Sequence, residues 1–329
     1  MDPIVRPNPI ELSGEKKMTD AIKPGTAFDQ EALTKHWRRL RRDDGDAIRT
    51  AAFELQCRFP PPQDGFEEDE SYYYLPVTVL VREGDTVRQD MVMFALGQGV
   101  LVTLEPPEGF PPFDRALTIL KRRPELRRDA HGIMFALLRA GNSAANQSIE
   151  MASAALETMN DEIERITLGV DERGRDISTD DINDTMADLN EREELISRIQ
   201  EGQLLLARAA RYLRIEIDGS NLELRTQVEG LISDIQGIKE HASFEHDKVR
   251  YLQQSVMASL TAKQNQVVKV FTIITAVFLP PTLIATFYGM NFAVMPELSW
   301  APGFTVTIVL TLIAALLPLW YIKRKGWLR

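Results

Sequence analysis

The C-terminal end of the chain limits its fold more than any other part. From Val267 to Tyr288 the only charged residue is Lys269, and from Phe304 to Ile322 there is none, giving apolar runs of 22 and 19 residues. A helix needs about 20 residues to cross the hydrocarbon core of a bilayer. The sequence therefore predicts two transmembrane helices, 267–288 and 304–322, joined by a loop at 289–303. Two buried helices of a soluble protein are the alternative. Lys263 and Lys269 flank the first run and Lys323, Arg324, Lys325 and Arg329 follow the second, whereas Gly289 to Gly303 carries no basic residue. Basic residues collect on the cytoplasmic side of membrane helices, so both termini are expected inside the inner (plasma) membrane and the loop outside.

Two spans account for little of a 329-residue chain whose hydrophobic content is only 44%. Most of it must sit in water. The whole chain has 38 basic and 48 acidic residues; removing the six basic residues and the single acid, Glu297, from position 263 onward leaves 32 and 47, a net of -15 for the body. Such a body is a poor partner for nucleic acid, whose phosphates need a cationic face, and suits a cation-rich setting. The single cysteine, Cys57, cannot form an internal disulfide, so no oxidising compartment is required. Residues 1–20 lack the apolar core of a secretory signal and read as a disordered leader.

Residues 21–125 read as an α/β domain. Runs rich in β-branched and aromatic residues at Ile48 to Phe59, Tyr72 to Arg82, Val87 to Leu96 and Gly99 to Leu104 are separated by turn signals at Glu83-Gly84-Asp85 and Gly97-Gln98-Gly99, which predicts a small mixed sheet. Pro- and acid-rich Pro60 to Glu70 reads as a surface loop. After Pro124 the periodicity becomes helical, with helices expected at Ala130 to Leu168, Thr179 to Leu213 and from Asn221 onward, broken at Gly169 to Ser178 and Asp218 to Ser220. Residues 126–220 then form a helical hairpin and 221–266 a stalk that runs into the first span, with a basic tail at 323–329. The fold class is an α+β cytoplasmic domain with a long stalk helix and two C-terminal transmembrane α-helices.

Within the first span one stripe differs from the rest. At about 100° per residue, Asn265, Val268, Thr272, Thr275, Leu279, Thr282 and Thr286 fall within an arc of roughly 100°, and they include every threonine of the span. The remaining faces hold Val267, Val270, Ile273, Ile274, Val277 and Ile284. Hydroxyl residues in membrane helices often serve close helix packing. Followed backward, however, the stripe meets Thr261, Ala258 and Gln254, which suit a wet path better than a dry seam. Two helices cannot enclose such a path alone, so a pore-lining role demands several copies about an axis.

The stripe holds no carboxylate. Hydroxyl, amide and backbone oxygens can pass a strongly hydrated cation without stripping and trapping it. Val268, Leu279 and neighbouring Phe271 are apolar positions suited to closing the path by dewetting. Pro280 and Pro281 remove two helical donors and free the carbonyls of Ala276 and Val277. An inward divalent cation gains about 4.6 kcal/mol across ~100 mV, so no nucleotide is needed, and no phosphate-binding loop with a lysine is seen. Catalytic constellations are not seen either: His36, His131, His241 and His246 are scattered, and the His241/Glu245 pair, one helical turn apart, reads as a solvated contact. The chain does not read as an enzyme.

Phe278-Leu279-Pro280-Pro281-Thr282-Leu283-Ile284-Ala285, then Tyr288-Gly289-Met290-Asn291-Phe292 and Met295-Pro296-Glu297-Leu298, and the ending Lys323-Arg324-Lys325-Gly326-Trp327-Leu328 resemble the CorA family of magnesium transporters, in particular its bacterial members. The motif match covers roughly residues 263–329; upstream only the layout agrees. The resemblance implies a funnel-shaped homopentamer that carries Mg2+, and possible Co2+ or Ni2+, down its gradient. It implies a ring of Asn291 capturing the hydrated ion, with Gly289 and Met290 shaping the turn and Glu297 in the outer loop. Asn265, Val268, Phe271, Thr275, Leu279 and Thr282 correspond to pore-facing positions. It further implies gating by intracellular Mg2+ held between acidic side chains of adjacent copies. Gly230 stands where the sensing aspartate is expected, leaving Glu229 and Asp234 as the regulatory candidates. The implied partners are further copies of the chain, the bilayer and divalent cations, with Mg2+ as cargo and regulator and no organic cofactor. A Zn2+, Co2+ or Ni2+ transporter of the same superfamily and a non-conducting, membrane-tethered coiled-coil scaffold are the competing readings.

Overall fold

A computed structural model describes residues 30–60, 65–83, 86–168, 178–219, 221–290 and 300–326. The leader at 1–20, Asn291, Glu297 and most of the outer loop lie outside the described residues. The chain divides into two compact units, one made of Met1–Val81, Gln89–Ala144 and Leu205–Asp234, the other of Arg82–Arg88, Ala145–Leu204 and Ile235–Arg329. These units do not follow the linear segments, because each of the three long helices contributes to both.

The first unit is organised by a mixed sheet. Its elements are α1 (Gln30–His36), β1 (Trp37–Arg41), α2 (Gly45–Leu55), β2 (Glu67–Glu68), β3 (Tyr73–Glu83), β4 (Thr86–Gly97), β5 (Val100–Glu105) and α3 (Pro112–Arg122), followed by a 3-10 turn at Pro124–Arg127. The strand order is β1-β5-β4-β3-β2, with β1 parallel to β5 (Trp37 opposite Leu101, Leu40 opposite Leu104) and β4 antiparallel to β5. Alternation along the strands separates two faces. Leu40, Tyr72, Tyr74, Met93, Ala95, Val102 and Leu104 pack with Ala51 and Cys57 on one. Phe94 and Trp37 meet Phe113 of α3 edge-on, at 6.0 and 5.7 Å between ring centres. Arg39 donates two hydrogen bonds, of 2.7 and 2.6 Å, to the buried Glu105 carboxylate.

One local reading needs correction. Ile48 to Phe59, expected as a strand, is mostly the helix α2. Asp44 caps it by accepting from the Ala47 N–H at 2.9 Å, and Ala47, Ile48, Ala51 and Leu55 recur at helical spacing against the sheet, so burial overrides the β-branched content. The strand in its place is β1, with three arginines among its five residues; charge is common on an edge strand.

The Gly97-Gln98-Gly99 turn is as tight as its glycines predict. Gln98 (φ 50°) and Gly99 (φ 76°) both take the left-handed conformation that a two-residue hairpin requires. A Cβ at Gly97 would stand 1.9 Å from the Ser71 carbonyl oxygen and 2.8 Å from Tyr72 Cδ1, and a backbone oxygen cannot swing aside. Gly97→Ala is expected to cost about 2 kcal/mol or more, read as a lowered melting temperature of the purified protein. Gly45→Ala, where nothing lies within 4 Å, is expected to change it little.

The second unit is built on α4 (Ala130–Leu168), α5 (Thr179–Glu216) and α6 (Leu222–Tyr288) beyond their ends in the first. Apolar residues recur every three or four positions and are buried: Ile149, Ala152 and Leu156 on α4, Ile182, Leu189 and Ile196 on α5, Ile235, Ile238, Ala242, Val249, Leu252 and Val256 on α6. That spacing is the seam of a helical bundle. Ser153 reaches Glu245 and Thr167 reaches Ser259, so α4 and α6 run in the same direction. Gln253 donates to Asn190 and Glu193, while His246 lies against Glu193, so α5 runs opposite. The 67 residues of α6 span roughly 100 Å at ~1.5 Å each. The last helix, α7, is Gly303–Arg324, with Lys323 and Arg324 in its final turn.

Candidate ion path along α6

Nothing among the described residues covers the apolar part of α6. None of the residues in its most apolar window is buried, and α7 is nearly as bare. Val268, Phe271 and Leu279 are 62, 65 and 66% exposed. Helices this apolar and this uncovered need lipid, or other copies, around them.

On this surface Asn265, Thr272, Thr275, Thr282 and Thr286 are all exposed. Val268, Phe271, Thr272, Thr275 and Leu279, joined by Ala276 and Pro280, line one open groove of about 480 Å³. Ala276 and Pro280 were not among the sequence candidates. Both follow from the same rule, one turn beyond Thr272 and Ala276, but an alanine and a proline carry no polar signal. Asn265, Thr282 and Thr286 lie outside the groove.

The threonines share a geometry. Thr272, Thr275, Thr282 and Thr286 each donate the hydroxyl hydrogen to the carbonyl one turn back, on Val268, Phe271, Phe278 and Thr282, at 2.8, 2.9, 2.7 and 2.7 Å. With its one donor so engaged, a hydroxyl can offer only lone pairs outward. The face is thus a column of acceptors, matched to the hydrogens of a cation's bound water and poorly matched to a bare anion.

The C-terminal end of α6 adds to this preference. The helix ends at Tyr288 with no basic residue in its last turn, and the negative end of a helix dipole favours cations. Gly289 closes the helix, its N–H donating to Ala285 at 2.9 Å and Thr286 at 3.2 Å, and a Cβ there would stand 3.2 Å from the Ala285 oxygen. Met290 follows, partly exposed.

Comparison with known proteins bears on what such a helix belongs to. The sequence profile of the family described as "CorA-like Mg2+ transporter protein" matches residues 52–324. The chain belongs to the CorA family. The magnesium transport protein CorA of Escherichia coli (strain K12) is 29% identical over 269 residues, 80% of this chain and 79% of that protein. The one from Yersinia pseudotuberculosis serotype I (strain IP32953) is 30% identical over 281 residues, 84% and 81% of the two chains. The CorA magnesium transporter of Methanocaldococcus jannaschii shares the fold, with a TM-score of 0.69 at 15% identity over 88% of this chain and 90% of that one. The α+β body, the long helix and the two C-terminal apolar helices are the CorA architecture.

The regulatory candidates are less gathered in this CorA chain. Glu229 and Asp234 are exposed on α6, Gly230 has open space about it, and no group of three or more His, Cys, Asp or Glu side chains comes together among the described residues. The His241/Glu245 pair requires a correction: Glu245 is 2% exposed, not solvated, and is taken up below.

Proposed function

We propose that this CorA chain conducts hydrated Mg2+ across the inner membrane, down its electrochemical gradient, along a path lined by the α6 threonine column. The observation that carries the reading is that column: four hydroxyls on an uncovered face, every donor satisfied by the helix itself. Mg2+ releases its waters reluctantly, and acceptor oxygens can hold it through those waters without displacing them. One face of one helix encloses nothing, so the path is formed by several copies about an axis; five is the number the resemblance implies. Asn291, presented by Gly289 and Met290 just beyond the negative end of α6, captures the hydrated ion outside. Val268, Phe271 and Leu279 form the closable apolar constriction. Internal Mg2+ bound between copies near Glu229 and Asp234 biases the path shut. Termini inside and loop outside follow from the basic residues flanking the two spans.

The test is flux. Proteoliposomes holding the purified protein and an internal Mg2+ indicator are expected to take up Mg2+ when an inside-negative potential is applied. Hexaammine cobalt, whose ligands do not exchange and whose size imitates a hydrated ion, is expected to block uptake from outside. Zn2+ uptake exceeding that of Mg2+ would favour the zinc-type reading. No divalent flux under a potential would favour the scaffold.

A further inference from the structure

In the buried row of α6, Ile235, Ile238, Ala242, Glu245, Val249, Leu252 and Val256 follow one another at core spacing, and one of them is a carboxylate. A charge at such a position needs partners on both oxygens. Oε1 has them: Ser153 of α4 donates to it at 2.7 Å, and His241 Nε2 stands 3.4 Å away. Oε2 is enclosed and meets no hydrogen-bond donor among the described residues. The neighbouring pair on the other flank is different, since Glu193 faces His246 with Oε1 and accepts from Gln253 at 2.7 Å with Oε2.

The 3.4 Å separation matters. It is longer than the ~2.7–2.9 Å of a charge-assisted hydrogen bond. Two ligands each about 2.0–2.2 Å from one transition-metal ion, at angles between octahedral and tetrahedral, stand about 3 to 3.5 Å apart. A histidine and a glutamate one helical turn apart place both groups on one side of the helix. The His241 side chain is 40% exposed while that of Glu245 is 3% exposed, so the pair has one wet and one dry end, and the wet end leaves an ion a way in.

We infer that His241 and Glu245 form a binding site for a borderline divalent transition cation of the Co2+, Ni2+ or Zn2+ class, at the contact of α6 with α4 and apart from the ion path. An imidazole nitrogen suits such ions and not Mg2+, which takes oxygen ligands. His241 Nε2 and a Glu245 oxygen bind the metal, water completes the shell, and Ser153 orients the carboxylate from behind. Both ligands stand on α6, so the metal clamps one turn of that helix, while the Ser153 hydrogen bond joins the ligating carboxylate to α4.

The experiment is a Co2+ titration of the full-length protein in detergent, followed by visible absorption, which changes in position and intensity when nitrogen enters the inner shell. One Co2+ per chain is expected to give that change, with a large excess of Mg2+ unable to reverse it. His241→Ala and Glu245→Gln are each expected to weaken binding at least tenfold, and replacement of a remote histidine, His131→Ala, to leave it unaltered. His241 is half-exposed, so its variant should fold even if the Glu245 variant does not. Titrations indistinguishable between wild type and His241→Ala, no inner-shell spectrum with millimolar Co2+, or equal competition by Mg2+ would each overturn the assignment. Because binding is read without transport, these outcomes are separate from failure of the conduction reading.

Discussion

Replacing Asn291 by alanine is expected to lower Mg2+ uptake at sub-saturating concentration by roughly 100-fold while leaving the amount of assembled protein unchanged. The reasoning combines position with number. Asn291 follows Met290 just past the end of α6, where the helix dipole is negative and no basic residue opposes it. A neutral amide there can accept from the waters of a hydrated cation without displacing them. Hydrogen bonds involving a charged partner contribute about 1.5 kcal/mol or more each, and every copy around the axis loses its own. Two lost bonds at that value already amount to a factor of about 100. The measurement is initial uptake into proteoliposomes against external Mg2+, with assembly followed by size-exclusion chromatography. Undiminished uptake would remove Asn291 from the path.

Thr275→Val should come next in severity, with uptake down about tenfold, the size expected from one lost acceptor contact of ~1.4 kcal/mol. Valine keeps the shape and removes the oxygen. Thr275 also belongs to the groove with Phe271, Thr272 and Leu279, so the loss falls where Thr272 is the one other side-chain hydroxyl of the lining. Thr275→Ser, which can repeat the bond to the Phe271 carbonyl made at 2.9 Å, is expected to restore most of the uptake. Val277→Thr adds a hydroxyl on the opposite side of the helix and is expected to do nothing. Thr275→Val together with Thr282→Val should multiply toward 100-fold. Equal effects of Thr275→Val and Val277→Thr would mean that helix packing, not ion contact, is being measured.

The two long apolar helices and the exposed threonine face were legible because both rest on periodicity and length, which a single sequence displays. Where content and periodicity disagreed, content misled. The Ile48 to Phe59 run looked like a strand by its residue types, yet the recurrence of Ala47, Ile48, Ala51 and Leu55 and the Asp44 cap marked a helix. The arginines of β1 concealed an edge strand whose inward residues are only Trp37 and Leu40. Glu245 was read with His241 as a surface pair, although Ala242, Val249, Leu252 and Val256 already set out a core row through it. The acceptor geometry of the threonines was not legible at all, because a hydroxyl rotamer is chosen by the folded helix. The regulatory candidates were not legible either, because Glu229 and Asp234 lie exposed on α6 and an exposed carboxylate has the same sequence pattern whether or not it binds an ion.

The central claim is that one face of α6 lines the conduction path, and cysteine accessibility tests it most directly. The chain's single cysteine, Cys57, is buried, and burial pushes its thiol upward, so Cys57→Ser provides a quiet background. Single cysteines are then placed along α6 and treated with a small charged thiol reagent during Mg2+ uptake. Block is expected at Val268, Thr272, Thr275, Leu279, Thr282 and Thr286, and protection at Val270, Ile273, Ile274, Val277 and Ile284, a period near 3.5 residues. Block confined to the second set, or spread evenly around the helix, would contradict the account.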